Sequence, residues 1–245
     1  MAAQINGKGI KVSLPNIILL SEGVASYPMQ MERALNDLAN EIISAGRIDA
    51  EQVKEIRLKI FSETRILERM LDDGIVDRGE AETLFAINDA LSAGQYDASW
   101  RDLFVEAVTS HVLKDEMSPG VLDEEEARFI LKGVEKDGKI DPVEIDLLVN
   151  VSASVWSAPT FFHRFVLDAL KGLVLQDSLV GEDDVRMIRR VICGSGSSSG
   201  RSIDDMEKAW LREIDDMTAR KKNHPSWSLL KLEVGFPDQE GPGLL

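Results

Sequence analysis

Acidic residues grouped in the middle of the chain are the side chains with the clearest potential for chemistry. They are Asp115, Asp123, Glu126, Asp137, Asp141 and Glu144. Ca²⁺ prefers oxygen ligands, and a calcium site collects about six to eight of them. The stretch "DGKIDPVEIDLL", residues 137–148, has a glycine, an apolar residue and acidic residues in the order of the second half of a calcium-binding loop. The sequence therefore raises the hypothesis of a weak, solvent-exposed site for Ca²⁺ or another divalent cation.

No single stretch supplies a complete set of calcium ligands. In a loop spanning residues 133–144, Gly133 stands where the first ligand is needed. In residues 115–126, Met117 and Pro119 occupy two further ligand positions. Two neighbouring loops would therefore have to share one ion. The alternative, which the sequence favours, is that these carboxylates cap helices and cover solvated faces.

The same pattern recurs along the chain as a corner motif. Its common form is Gly, any residue, an aliphatic residue, Asp, two residues, and Glu or Gln. The recurring pairs are Asp49–Gln52, Asp77–Glu80, Asp123–Glu126, Asp141–Glu144 and Asp204–Glu207. This spacing is that of a capping box at a helix start, and one good cap contributes about 1 kcal/mol. Each corner therefore predicts the end of one helix and the beginning of the next.

Apolar residues between the corners follow the spacing of helices, and the whole pattern repeats. Asp77, Asp141 and Asp204 are 64 and 63 residues apart. We therefore predict an all-α fold of about nine helices in three tandem units of about 60 residues each. The units are predicted at about 29–92, 98–156 and 160–220. The helices are predicted at 29–45, 50–72, 78–92, 98–115, 124–136, 142–156, 160–176, 182–193 and 205–220.

The two ends of the chain lie outside this repeat. Residues 1–28 are predicted to be a short non-helical, extended segment. A signal peptide is not expected there, because "VSLPNIILL" is short, contains Pro15 and precedes no small-residue cleavage site. Residues 221–245 are predicted to be an irregular tail that docks on the helices. The docking residues predicted for it are Trp227, Leu229 and Leu230.

Composition narrows the classes of partner. The 245 residues carry a net charge of −15. Because duplex nucleic acids and anionic membranes attract basic surfaces, this charge argues against both. Cys193 is the only cysteine, so no internal disulfide can form, and it is predicted to be a plain helix-end residue. No apolar run approaches the roughly 20 residues of a membrane-spanning helix. A cytoplasmic location is therefore predicted.

The histidines and tryptophans of the sequence are not spaced like the residues of a catalytic site. His111 lies on an apolar stripe and is predicted at the core or its boundary, whereas His163 is predicted at the surface. Trp100, Trp156 and Trp210 recur near unit boundaries and are predicted to anchor the core. Without a nucleophile next to a base, or histidines at metal-ligand spacing, the protein is predicted not to be an enzyme.

The corners also resemble those of a known family. "DDGIVDRGEAETL" and "KDGKIDPVEIDLL" are similar to the repeated Asp-Gly-x-Ile/Val-Asp-x-x-Glu corner of the tellurite-resistance TerB-like family, which shares its second half with EF-hand proteins. The matching residues are Asp73, Gly74, Asp77 and Glu80, and Asp137, Gly138, Asp141 and Glu144. The resemblance implies a cytoplasmic helical protein with acidic surfaces, linked to metal-stress or membrane-associated assemblies.

Two functions follow from these observations. The first is a non-enzymatic helical-repeat scaffold that binds a protein partner, since repeat stacks offer extended surfaces to partners. The alternative is a weak divalent-cation binding protein with degenerate EF-hand-like corners. Neither the identity of the partner nor the oligomeric state can be derived from the sequence.

Overall fold

The structure is a computed structural model that describes residues 27–61, 76–91, 95–113, 120–176, 178–194, 203–218 and 222–235, with side chains described from residue 35 onward. Ten α-helices run through these residues. They are α1 (Tyr27–Ala45), α2 (Ala50–Phe61), α3 (Arg78–Ala90), α4 (Ala98–Leu113), α5 (Glu124–Val134), α6 (Pro142–Ser154), α7 (Thr160–Val174), α8 (Glu182–Cys193), α9 (Asp205–Thr218) and α10 (Pro225–Glu233). The described residues contain only isolated bridges as β-type pairing. The predicted all-α class is confirmed.

Observed helix limits lie close to the predicted ones. α8 has the limits that the sequence predicts, and α3, α5, α6 and α7 end two residues earlier than predicted. The cause is visible after α3 and α6, where Leu91 and Val155 already have extended backbone. The helix predicted at 50–72 is described as far as Phe61, and its remainder lies outside the described residues.

Capping boxes begin several helices, as the corner motif predicts. In each box the Asp side chain accepts the N–H three residues later, and the Glu or Gln side chain accepts the N–H of the Asp. The boxes are Asp49–Gln52, Asp77–Glu80, Asp123–Glu126, Asp141–Glu144 and Asp204–Glu207. Before three of them, Gly46, Gly120 and Gly138 have left-handed φ values of 62°, 78° and 76°, which glycine adopts without strain.

The centre of the fold is formed by α4 and α6, which pack against each other. α4 also contacts α2 and α3, while α6 also contacts α7 and α8. Trp100 and Phe104 of α4 are fully buried, and the ring of Phe85 meets that of Phe104 edge to face. α6 is apolar on most sides because it is enclosed by neighbours. No helix in the described part of the chain is nevertheless long and apolar enough to cross a membrane.

Short backbone pairings tie the corners to the segments between units. Each predicted unit has three helices. The corner between its first and second helices pairs with the residues that follow its third helix. The pairings are Ile48 with Gln95 and Asp97, Gly120 and Leu122 with Trp156 and Ser157, and Val180 with His224. The same contact therefore recurs at the same place in each of the three predicted units.

The chain after residue 221 is more regular than the sequence predicts. Instead of an irregular tail, residues Pro225–Glu233 form α10, which begins with Pro225 in the first turn and with His224 as its cap. Proline fits this position because its missing N–H would have no helical partner there. Trp227 and Leu230 are buried, as predicted, but Leu229 is 62% exposed. The helix therefore docks through Trp227, Leu230 and the buried Lys231, which lies 2.7 Å from Asp215.

Candidate functional site

Asp141 and Glu144 lie in the capping box at the start of α6. One carboxylate oxygen of Asp141 accepts the N–H groups of Val143 and Glu144, at 2.7 and 2.9 Å. Its other oxygen accepts the side-chain amide of Asn88 at 2.8 Å. Glu144 in turn accepts the N–H of Asp141 at 2.9 Å. A cation bound by Asp141 would therefore have to compete with three hydrogen bonds that hold the corner together.

Glu144 is buried at the core, with only 2% of the residue exposed, as are the capping-box residues Glu80 and Glu207. This burial raises the pKa of Glu144 to about 8, because a charged carboxylate is poorly stabilised away from water. The hydrogen bond from Asp141 lowers the pKa, whereas the negative charges of Asp141, Asp137 and Asp89 raise it. At neutral pH the carboxyl group is therefore mostly protonated, which makes it a poor metal ligand.

Two of the other predicted ligands, Asp123 and Glu126, lie at the start of α5, away from the corner that begins α6. Asp123 and Glu126 form the capping box at the start of α5, at 2.9 and 2.8 Å, whereas Asp137 follows the end of that helix. A helix of 11 residues is about 16 Å long, and ligands of one calcium ion lie within about 5 Å of each other. The two corners therefore cannot share an ion. Asp115 lies outside the described residues.

The predicted metal residues that the structure describes do not form one cluster. In the part of the chain that the structure describes, no three side chains of His, Cys, Asp or Glu are placed to hold a metal ion. Asp137 instead accepts the N–H of Lys139 at 2.8 Å, which shapes the turn before α6. The hypothesis of a weak cation site is thus confined to the carboxylates around the start of α6.

The solvent exposure of two aromatic residues, His163 and Trp156, differs from the sequence-based prediction. The sequence predicts His163 at the surface, but only 14% of its side chain is exposed, and its Nε2 lies 3.0 Å from Oε1 of the buried Glu207. It predicts Trp156 in the core, but this residue is 78% exposed. The Trp156 ring covers Gly120, where a Cβ atom would lie 2.7 Å from the indole. His111 is half-buried, as predicted, and donates from Nδ1 to the carbonyl of Val76.

A groove of about 900 Å³ lies on the described part of the chain. Residues from α2, α4, α6 and α8 line it, and α4 forms its floor. Phe61, Val105 and Leu113 contribute apolar surface. Sequence patterns do not predict this groove, because its walls come from helices that are far apart along the chain. Interleaved polar residues on α4 and α6 are its only local signal.

Three of the charged groups that line the groove, Arg101, Glu106 and Asp146, are held in ion pairs. Arg57 and Glu106 form an ion pair at 2.8 Å that connects α2 to α4. Arg101 and Asp146 form another that connects α4 to α6. These contacts fix the relative positions of the helices, although the exposed Arg57–Glu106 pair contributes only about 0–1 kcal/mol to stability. The groove is therefore lined by a prearranged set of opposite charges.

A polar chain occupies one end of this groove. Arg190 of α8 donates to Oδ1 of Asn150 at 2.9 Å, and the amide of Asn150 donates to the hydroxyl of Thr109 at 3.0 Å. Ser110, beside Thr109 on α4, is 8% exposed and also lines the groove. Its hydroxyl has no hydrogen-bond partner among the described residues. A buried hydroxyl without a partner costs about 1–3 kcal/mol, which marks this end as a place for a polar ligand.

Comparisons of the chain with protein-family models, with curated proteins and with solved structures gave no significant match.

Proposed function

We propose that the protein is a non-enzymatic helical-repeat scaffold that binds a protein partner in the cytoplasm, as the resemblance to TerB-like proteins implies. The observation that carries the proposal is the groove between α2, α4, α6 and α8. It combines apolar side chains with fixed charges of both signs, which is the surface composition that protein partners recognise. Helix-lined grooves of this kind accept helical segments of other proteins.

Charge and side-chain pairing support a binding role. A net charge of −15 disfavours nucleic acid, whose affinity for proteins depends on basic side chains. Within the groove, the carboxylates of Glu106 and Asp146 are engaged by arginines of neighbouring helices. His163, which has a carboxylate partner, is directed at Glu207 in the capping box of α9 and not into this groove. These groups organise the fold and the walls of the groove.

A substitution inside the groove tests the proposal directly. Val105→Arg places a long cation on the floor, and Leu232→Arg places the same side chain on α10, where Leu232 is 66% exposed. We expect chemical crosslinking and co-purification from the source cells to identify one discrete partner with the wild type. That partner should be retained by Leu232→Arg and lost by Val105→Arg. If no variant and no wild-type preparation yields a partner or a self-associated form, the proposal is wrong.

A weak divalent-cation binding protein is the second candidate. The observation that favours it is the closeness of Asp89, Asp137 and Asp141 to Glu144, whose pKa their negative charges raise. A cation there would favour ionised Glu144 and would stabilise the folded state by mass action. Melting temperatures measured with millimolar Ca²⁺, Mg²⁺ or Mn²⁺ and with a chelator test this function. Equal melting temperatures, together with calorimetric titrations that show no heat, would exclude it.

A further inference from the structure

The groove has two chemically different ends. Asp102 and Thr109 both line it from α4 and are seven residues apart, which corresponds to two helical turns or about 10 Å. Near Asp102 lie the Arg57–Glu106 and Arg101–Asp146 ion pairs, so Asp102 gives this end one excess negative charge. The other end contains hydroxyl, amide and guanidinium groups. A ligand that fits both ends must therefore carry charges of both signs.

The second end is equipped to bind an oxyanion. Arg190 has five N–H donors, and its side chain donates to Asn150 at 2.9 Å. In the described part of the chain no carboxylate pairs with Arg190. The hydroxyl of Ser110, which is more than nine-tenths buried, has no partner among the described residues and lines the same groove. A guanidinium and a hydroxyl with free donors are the groups that recognise carboxylates and phosphates.

The charge of the groove favours a carboxylate over a phosphate as the bound anion. The groove is lined by two arginines, Arg101 and Arg190, and by three carboxylates, and the chain carries a net charge of −15. Arg101 is already paired with Asp146, so Arg190 is the guanidinium left to meet an anion. Because a phosphate dianion would be repelled more strongly than a monoanion, the carboxylate is favoured. An open, mixed polar and apolar groove also suits a peptide better than a small apolar acid, which needs a mostly enclosed pocket.

We propose that the groove binds a helical segment of a partner protein through an acidic residue at Arg190 and Ser110 and a basic residue at Asp102. The two residues of the partner would be about seven positions apart, since two helical turns match the distance between the ends. Apolar side chains between them would contact Phe61, Val105 and Leu113. This inference rests on the proposed function, because it specifies what a protein partner presents to the groove.

Selection from a random peptide library displayed on phage tests the inference. Wild-type protein serves as bait, and Arg190→Glu is used to remove peptides that bind elsewhere. We expect the selected peptides to contain an acidic and a basic residue about seven positions apart, separated by apolar residues. Binding measured by fluorescence anisotropy should be about tenfold to a hundredfold weaker with Arg190→Glu, since charge-assisted hydrogen bonds are lost. A peptide whose acidic residue is replaced by lysine should bind Arg190→Glu better than the wild type.

Two further variants separate binding from folding. Arg186→Glu changes an exposed arginine one turn earlier on α8, where Arg186 pairs with Asp183 outside the groove, and should bind the peptides like the wild type. Ser110→Ala should weaken peptide binding severalfold, yet leave the melting temperature unchanged or higher, because the hydroxyl has no partner in the free protein. A purely structural role for Ser110 would lower the melting temperature and leave the affinity unchanged.

Failure of this inference is distinguishable from failure of the proposed function. If no peptides are enriched, or if the selected peptides bind Arg190→Glu as tightly as the wild type, the carboxylate anchor is wrong. A partner that co-purifies equally with wild type and Arg190→Glu would also contradict the carboxylate anchor, while leaving the scaffold function intact. The absence of any partner for the wild type would instead contradict the scaffold function itself.

Discussion

Replacing Glu144 by glutamine should remove a pH dependence of stability that the structure assigns to one side chain. Gln keeps the shape of the residue and the oxygen that accepts the N–H of Asp141, so the capping box at α6 remains. Gln52 already occupies the corresponding position at the start of α2, where it accepts the N–H of Asp49. The substitution therefore removes the ability to ionise with little other change.

The magnitude follows from the difference between the folded and unfolded pKa. Burial raises the pKa of Glu144 from 4.5 to about 8, so the folded protein holds a proton that the unfolded chain releases at neutral pH. The resulting stabilisation is complete below pH 4.5 and is lost as the pH rises through about 8. Between these limits the free energy of unfolding falls by about 1.4 kcal/mol per pH unit. From about pH 5.5 to about pH 7.5 the loss is about 2–3 kcal/mol.

Urea unfolding followed by far-UV circular dichroism measures the free energy of unfolding at each pH. We expect the free energy of unfolding of Glu144→Gln, relative to the wild type, to increase by about 2–3 kcal/mol from about pH 5.5 to about pH 7.5. Glu126→Gln is the matched control, because Glu126 has the same capping-box role at α5 and is half-exposed rather than buried. Its difference from the wild type should stay nearly constant over that range.

Parallel stability curves for the wild type and Glu144→Gln would refute this reasoning. They would mean that Glu144 has the same pKa in the folded and unfolded states, and thus that its carboxylate is effectively solvated or paired. The same result would strengthen the cation-binding alternative, since an ionised Glu144 beside Asp141 is a better metal ligand than a protonated one.

Two further substitutions test the packing. Trp227→Ala should lower the free energy of unfolding by about 3–5 kcal/mol, because it empties a fully buried site, whereas Leu229→Ala, at an exposed position on the same helix, should change it by less than about 0.5 kcal/mol. Asn88→Ala should cost about 2–4 kcal/mol, because it leaves the indole N–H of Trp100 and one oxygen of Asp141 without their partner. Urea unfolding at constant pH measures both, and a loss for Leu229→Ala equal to that for Trp227→Ala would contradict the docking of α10.

The features predicted correctly are those decided by a few neighbouring residues. A capping box needs only the Asp, the Glu three residues later and the backbone between them, so the boxes at Asp77, Asp123 and Asp141 are legible in the sequence. Glycine before the corner adds a local signal, since its left-handed conformation ends the preceding helix. For that reason the predicted and observed helix limits differ by about two residues.

Residues whose environment is set by another helix are predicted poorly. Trp100, Trp156 and Trp210 share a residue type and a place near unit boundaries, yet Trp156 alone is exposed. It follows the end of α6, so it is not on the apolar stripe of a helix, and its ring covers Gly120 of a distant corner. His163 is enclosed because α9 supplies Glu207 opposite it. The groove escapes prediction for the same reason, since four separate helices build it.

α10 resembles helices of the predicted repeat, although the search for repeats in the sequence does not detect it. Its third residue is Trp227, and the third residues of α4 and α7 are Trp100 and Phe162, at intervals of 62 and 65 residues. All three side chains are buried. The backbone N–H of each donates to the carbonyl three residues earlier, at 2.9–3.0 Å. α10 therefore begins in the same way as α4 and α7, which open the second and third predicted units.

The hydrogen-bond acceptors of Trp100 and Trp227 also occupy equivalent positions. Trp100 donates from its indole to Asn88 of α3, and Trp227 donates to Asp215 of α9, at 3.1 and 2.9 Å. Asn88 and Asp215 each lie 11 residues after the Asp that caps their helix. α10 thus occupies the place that the opening helix of a fourth unit would have, and it covers the end of the third. A single helix of nine residues carries no period to detect, and its flanking prolines suggest irregular structure, although Pro225 stands where a helix tolerates proline.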